Sequence, residues 1–259
     1  MRVVSDICDA PMELGSQRIE FIDVGSFIGN TVIRTALLKR AKNIPTKINS
    51  FEPGPIRKLQ KANVQINGLE NDISINTHAV SDADDPKLLT SDAGYHIAAV
   101  LDTISREFDF YSIVEAISLN TVLAEKEKTP DWQPEHTGIL IKLDCNGFEP
   151  TVVKGARRIF ENYNTIWVVE FLGFSLDLDA GNGHSYLSFL DDFIIVDIKP
   201  FTYTYHFEVL DRDGIAELAK KRSEVAGATD LILIPNSLPN AQETVTALAA
   251  SISRANTGA

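Results

Sequence analysis

The chain has 259 residues, 44% of them hydrophobic, and its 24 basic and 36 acidic residues give a formal net charge of −12. This length and composition suit a folded α/β domain with insertions and argue against a disordered chain. Because an acidic surface repels phosphate backbones and anionic lipids, we expect neither nucleic acid nor a membrane surface as a partner.

The cysteines and the apolar runs predict the cellular compartment of the protein. The two cysteines, Cys8 and Cys145, are too few for a disulfide framework or a zinc site. The first residues lack the apolar run of a signal peptide, and no apolar stretch approaches the roughly 20 residues that span a bilayer. The sequence therefore predicts a soluble cytoplasmic protein and leaves its oligomeric state open.

Apolar runs that alternate with helical patterns predict an α/β fold. Seven runs predict strands over 19–24, 47–51, 73–80, 139–143, 165–171, 193–198 and 231–234. Residues at helical spacing predict helices over 31–41, 55–66, 121–128, 150–163, 186–192 and 214–221. We expect a seven-stranded, mostly parallel sheet with helices on both faces, whose last strand inserts antiparallel.

The same pattern predicts how the chain divides into a main domain, its insertions and two terminal segments. Residues 1–18 form an N-terminal extension, 19–238 the main domain, and 239–259 a tail with one weak helix over 241–253 that frays. Residues 83–138 and 172–206 are insertions into the main domain, the first with an accessory strand over 114–119.

Polar residues follow the first two predicted strands, where ligands bind in an open parallel sheet. The first strand runs into DVGSFIGNT (23–31), whose glycines are four residues apart rather than in the GxGxxG spacing of a dinucleotide binder. Gly25 permits a sharp turn that leaves room for a ligand, although a plain tight turn explains it equally well. Glu52, followed by Pro53, ends the second strand and can bind both hydroxyls of a ribose. Alone it would be a loop carboxylate, but beside the glycine turn the ribose interpretation is favoured.

Further candidates follow the later strands. Ser81 and Asp82 could line an adenine pocket. Asp144 ends the fourth strand, where catalytic and cofactor-binding residues gather, while Glu149 could instead simply favour a helix N-terminus. Glu170 ends the fifth strand and should face either the cleft or a basic partner.

Read in order, these segments resemble the FkbM family of methyltransferases. The matching segments are DVGSFIGNT (23–31), FEPGP (51–55), HAVSD (78–82), ILIKLDCNGFEPTVVKGA (139–156) and VVEF (168–171). The resemblance implies a Rossmann-like class I methyltransferase fold that binds S-adenosylmethionine. It implies cofactor contacts at Asp23, Gly25, Ser26, Gly29, Asn30, Glu52, Pro53, Ser81, Asp82 and Asp144.

The resemblance also implies the chemistry and the acceptor. Family members commonly methylate hydroxyl oxygens on sugars, glycans or polyketide-type products. We therefore expect an O-methyltransferase with a small-molecule or glycan acceptor, which the insertions 83–138 and 172–206 would select. Nothing in the sequence indicates a metal ion, because no ligand spacing supports one.

A hydroxyl acceptor benefits from a base that removes its proton. The candidates are Asp144, which we place first, Glu170 and His96, with His184 and His206 as further histidines.

Two amides depart from the family pattern. Asn146 stands where the family often has Glu or Gln, and Asn120 where it often has Asp. Because an amide cannot accept a proton at neutral pH, a catalytically impaired S-adenosylmethionine-binding protein is the alternative. A second alternative is a nicotinamide-dependent oxidoreductase built on a similar sheet. The absence of a GxGxxG motif argues against it.

Overall fold

A computed structural model of the chain describes residues 4, 7, 10–91, 95–98, 110–172, 190–201, 204–224 and 228–257. The strands within these ranges are β1 Arg18–Val24, β2 Thr46–Phe51, β3 Ile73–Asn76, β4 Ala79–Ser81, β5 Lys87–Ser91, β6 Tyr95–Ala98, β7 Phe110–Val114, β8 Ala116–Ser118, β9 Thr137–Leu143, β10 Thr165–Leu172, β11 Phe193–Phe201, β12 Thr204–Leu210 and β13 Ala228–Pro235.

The helices in the same ranges are α1 Ala10–Glu13, α2 Asn30–Ala41, α3 Arg57–Ile66, α4 Leu119–Glu127, α5 Glu149–Lys154, α6 Arg157–Asn162, α7 Arg212–Glu224 and α8 Ala241–Thr257, with a 3₁₀ turn at Pro134–His136. None of these helices combines the length and the apolar character needed to cross a membrane.

The main sheet has eight strands among the described residues, in the order β12-β11-β13-β10-β9-β1-β2-β3. The five strands from β10 to β3 are parallel, and β13 inserts antiparallel between β10 and β11. The predicted fold class and its antiparallel last strand are confirmed. The predicted count of seven is one too low, because β12 adds a hairpin partner to β11.

Apolar side chains alternate between the two faces of the sheet, as the period of a strand requires. On β9, Ile139, Ile141 and Leu143 join the apolar cluster under α4 to α7, whereas Leu140 joins the cluster under α1 to α3 and α8. Both faces are thus covered by helices, which is why the central strands read as continuous apolar runs.

Both ends of the described chain pack into the second of these clusters. Val4 and Ile7 near the N-terminus are buried there, together with Val245, Leu248 and Ile252 of α8. The segment that the sequence assigns to a fraying tail is therefore a packed helix, longer than the predicted 241–253.

Two other predicted elements are interrupted. The strand over 73–80 splits into β3 and β4, and β4 leaves the main sheet to pair with β8. The helix over 150–163 splits into α5 and α6 at Gly155. A Cβ on Gly155 would lie 2.2 Å from the carbonyl oxygen of Ser81, so β4 passes against the backbone at the break.

Candidate functional site

A cavity of about 430 Å³ opens at the carboxyl ends of β1, β2, β9 and β10. This volume lies in the range of small-molecule and cofactor sites. Seven of the sequence-predicted site residues line it, namely Gly25, Ser26, Asn30, Glu52, Pro53, Asp144 and Glu170.

The turn after β1 is built on Gly25. Its φ of +79° is in the left-handed region, and a Cβ there would lie 1.8 Å from the carbonyl oxygen of Asp144. Asp144 in turn donates its N–H to the carbonyl of Val24 at 3.0 Å. The turn and the end of β9 are therefore in backbone contact, which only glycine permits.

The loop continues through Ser26 to Gly29, the residue before α2. Ser26 Oγ accepts from Ser50 Oγ at 2.6 Å and from Gln60 Nε2 at 2.9 Å. Gly29 has a φ of +87° and donates its N–H to the carbonyl of Ser26 at 2.8 Å. The Ser26 hydroxyl thus anchors the loop to β2 and α3, and Gly29 closes the turn without lining the cavity.

Glu52 holds the other side of this loop. Its Oε2 accepts the N–H of Phe27 at 2.9 Å, and its Oε1 accepts the N–H of Gly54 at 2.8 Å. Burial raises the pKa of Glu52, and these two N–H groups partly offset that rise. Each carboxylate oxygen keeps a further lone pair, so Glu52 can still accept hydrogen bonds from a ligand.

Lys142 lines the cavity and lies between two carboxylates. Its Nζ lies 2.8 Å from Asp144 Oδ2 and 3.5 Å from Asp23 Oδ1. Burial raises the pKa of the fully enclosed Asp23, and Lys142 counteracts that rise. Burial alone would lower the pKa of Lys142, but Asp23 and Asp144 outweigh it and the pKa lies above its usual value.

Glu170, near the end of β10, faces the same region. Burial, followed by the charge and a hydrogen bond of Asp144, raises the pKa of Glu170 to about 8. At neutral pH Glu170 is therefore largely protonated beside Asp144. Glu149 is the first residue of α5 and accepts the N–H of Cys145 at 2.8 Å, which ties the loop after β9 to that helix.

Other predicted site residues lie elsewhere. The side chains of Asp23, Ser81 and Asp82 do not line the cavity, and Ser81 Oγ donates to Asp82 Oδ1 at 3.1 Å. His96 lies on β6 opposite Thr90, in a separate three-stranded sheet, and its side chain is outside the described part of the structure. His184 is likewise outside the described residues.

His78 and Val80 line the cavity and were missed by sequence reasoning. Residues 78 and 80 share one side of an extended segment, and residues 79 and 81 share the other. That alternation was the available signal, and neither Ala79 nor Ser81 lines the cavity.

The two amides that depart from the family pattern have structural explanations. Asn120 Oδ1 accepts the N–H of Arg158 at 3.1 Å, in the first turn of α6, and lies outside the cavity. Asn146 lines the cavity with a φ of +57°, a left-handed conformation that Asn adopts more readily than Glu or Gln. Backbone geometry thus accounts for the amide at Asn146, whereas the contact of Asn120 is one that Asp would also make.

Comparison with solved structures found chains that are similar to this one. A methyltransferase FkbM from Methylobacillus flagellatus KT is 15% identical with a TM-score of 0.47, and the match covers 88% of this chain but 47% of that one, about half its length. A precorrin-6y C5,15-methyltransferase from Geobacter metallireducens GS-15 is 10% identical with a TM-score of 0.42, over 89% of this chain and 87% of that one. A putative methyltransferase from Streptococcus mutans in complex with SAH is 8% identical with a TM-score of 0.40, over 87% of this chain and 97% of that one.

The family comparison is more specific. No curated protein matches the chain significantly. The model of the methyltransferase FkbM domain matches residues 23–206, most of the chain, from the end of β1 into β12. The chain therefore belongs to the FkbM methyltransferase family.

Proposed function

We propose that the chain is an S-adenosylmethionine-dependent methyltransferase that methylates a hydroxyl oxygen on a sugar, glycan or secondary-metabolite acceptor. The observation that carries the proposal is the convergence of the glycine turn, Glu52 and the Asp144–Glu170 pair on one cavity. Membership of a methyltransferase family argues against the nicotinamide-dependent alternative.

The residues of the cavity fit this cofactor. The turn at Gly25 brings backbone to the cavity wall without a side chain in the way. Glu52 is an acidic acceptor at the end of β2, where a ribose would be bound through its hydroxyls. The cavity volume of about 430 Å³ leaves room for a ligand of this size.

When bound, S-adenosylmethionine supplies an electrophilic methyl group on a sulfonium with a good leaving group. The protein's main task is then to hold the acceptor oxygen in line at near-attack distance. The wall formed by Asp144, Asn146 and Glu170 lies beside the glycine turn and is where we place the acceptor hydroxyl.

Asp144 is the residue we assign as base. Lys142 donates to its Oδ2 at 2.8 Å, and an ammonium partner favours the ionised carboxylate. The ionised carboxylate can accept the hydroxyl proton as the methyl group is transferred. Glu170, protonated beside it, can donate a hydrogen bond to Asp144 or to the acceptor oxygen.

Binding of S-adenosylhomocysteine, the product, tests the cofactor assignment without an acceptor. Calorimetry should give at least tenfold weaker binding for Glu52→Ala than for the wild type, because a ribose partner is lost. The matched control is Glu70→Ala, which removes an exposed carboxylate in the turn after α3 and should bind as the wild type does. Equal affinity for Glu52→Ala would contradict the ribose assignment.

Methyl transfer is tested with S-adenosylmethionine and a panel of sugars and other polyols, by mass spectrometry of the methylated product. Asp144→Asn should abolish transfer while S-adenosylhomocysteine binding stays measurable. Unchanged turnover in Asp144→Asn would remove the base assignment.

A further inference from the structure

Lys142 is a charged residue in the middle of the central sheet. It lies on β9 between Ile141 and Leu143, and its side chain is only 4% exposed. Placing an ammonium in such surroundings costs several kcal/mol unless carboxylates compensate it. An apolar residue would fill this position without that cost, so the charge needs an explanation.

The strand register places Lys142 between two different carboxylates. It is directly opposite Asp23 on β1, which is fully buried and whose oxygens accept no hydrogen bond from the described residues. The second partner, Asp144, is 22% exposed and lines the cavity. One ammonium thus connects a carboxylate enclosed in the sheet with one that a ligand can reach.

The surroundings of Asp144 are otherwise acidic. The carboxyl groups that act on it come from four other elements, namely Asp23 on β1, Glu149 on α5, Glu170 on β10 and Asp230 on β13. Each of these groups disfavours a negative charge on Asp144 when it is itself ionised. His78 and Glu52 line the same cavity at its other side. Within the described part of the chain, Lys142 is the cation that opposes this repulsion at hydrogen-bond distance.

We propose that Lys142 is a positioning residue for methyl transfer, holding Asp144 ionised and oriented toward the acceptor hydroxyl. This inference rests on the proposed function. In the step that it supports, the acceptor oxygen bonds to the methyl carbon as the carbon–sulfur bond breaks, and that bond's electron pair stays on sulfur. The hydroxyl proton moves to Asp144, whose oxygen Oδ2 Lys142 holds.

The test removes the ammonium without leaving a buried charge behind. Lys142→Met alone would leave Asp23 uncompensated and could fail to fold. The informative comparison is therefore Asp23→Asn against Asp23→Asn/Lys142→Met, in which Asp23 is already neutral. Lys142→Arg, which keeps the positive charge, is the conservative control, and thermal unfolding confirms that each variant is folded.

The measurement is the titration of Asp144, followed by ¹³C NMR of protein labelled at the aspartate carboxyl carbons and assigned with Asp144→Asn. Losing the ammonium should raise the Asp144 midpoint by at least about one pH unit in the double variant relative to Asp23→Asn. Lys142→Arg should stay within a few tenths of a unit of the wild type. An unshifted midpoint in the double variant overturns the proposal, because an ammonium that holds Asp144 ionised must change its titration when removed.

Activity separates this inference from the proposed function. Once an acceptor that is methylated has been found, the pH profile of kcat can be measured. Its acid limb should shift to higher pH in the double variant by the same amount as the titration midpoint of Asp144. A shifted midpoint with an unshifted acid limb also overturns the proposal. Absence of methyl transfer by the wild type, together with absence of S-adenosylhomocysteine binding, would instead reject the proposed function.

Discussion

Gly25 and Asp144 meet through their backbones, with only 1.8 Å between the Asp144 carbonyl oxygen and the position that a Cβ on Gly25 would take. Gly25→Ala should therefore lower the free energy of unfolding by several kcal/mol, since a clash is added to a left-handed backbone. The matched control is Gly68→Ala, whose φ of +62° is also left-handed but whose surroundings are open.

Urea denaturation of the two glycine variants measures the difference. Gly68→Ala should lose roughly 1 kcal/mol from strain alone. Gly25→Ala should lose clearly more and should bind S-adenosylhomocysteine poorly. Equal losses in the two variants would mean that the turn can move away from Asp144.

The raised pKa of Glu170 predicts how stability depends on pH. Between its unfolded value near 4.5 and about 8, folded Glu170 binds a proton that the unfolded chain releases. Its contribution to stability is therefore fully present below pH 4.5 and is lost as the pH rises toward 8. Glu170→Gln cannot titrate, so its stability relative to the wild type should increase from pH 5 to pH 8.5.

Thermal unfolding across that pH range tests this prediction. Glu217→Gln, on the exposed side of α7, measures the effect of deleting a surface carboxylate. If Glu170→Gln differs from the wild type by the same amount at both pH values, Glu170 does not hold the proton that we assign to it.

Asn120 should matter for stability and not for catalysis. Its Oδ1 caps the start of α6 by accepting the N–H of Arg158 at 3.1 Å. Asn120→Ala should lose roughly 0.5–2 kcal/mol of unfolding free energy, whereas Asn120→Asp retains an acceptor and should lose less. Methyl transfer by Asn120→Asp should equal that of the wild type. A large gain in its activity would revive the impaired-protein alternative.

Phe27 has a strained backbone at the cavity. Its φ is +51°, unfavourable for a bulky side chain, and 53% of its surface is exposed. Phe27→Asn should therefore stabilise the ligand-free protein by roughly 0.5–1 kcal/mol, because Asn tolerates this conformation and little burial is lost.

The reciprocal exchange is the control. Asn43 is exposed and has a φ of +54°, so Asn43→Phe should destabilise the protein by a similar amount in the same urea titration. Destabilisation by Phe27→Asn would show that the ring makes packing contacts that outweigh its strain.

The central strands could be predicted because a strand that is buried on both faces has an apolar residue at nearly every position. The run at 139–143 corresponds to β9, and the one at 19–24 to β1. The segment that becomes β12 carries a weaker signal, because it lies at the edge of the sheet, where Phe207 and Leu210 are only partly buried and Val209 is exposed. The break at Gly155 could not be predicted, since it depends on β4, a segment more than 70 residues away, approaching the helix backbone.

The candidate site was predictable to the extent that it lies at strand ends. The glycine turn, Glu52 and Asp144 could be placed because parallel strands end at one edge of the sheet. The role of Lys142 needed the structure, although a lysine within the apolar run ILIKL was a visible anomaly. Only the register of β1 against β9 shows that Asp23 lies opposite it.

The position of β13 decides how the chain can be shortened. The family match ends at residue 206, yet β13 lies between β10 and β11 in the sheet. A chain cut at residue 206 would leave β11 and β12 without a link to the parallel strands, and it would also expose the apolar surface under α8. The smallest fragment worth expressing therefore extends through α8, well beyond the homologous segment.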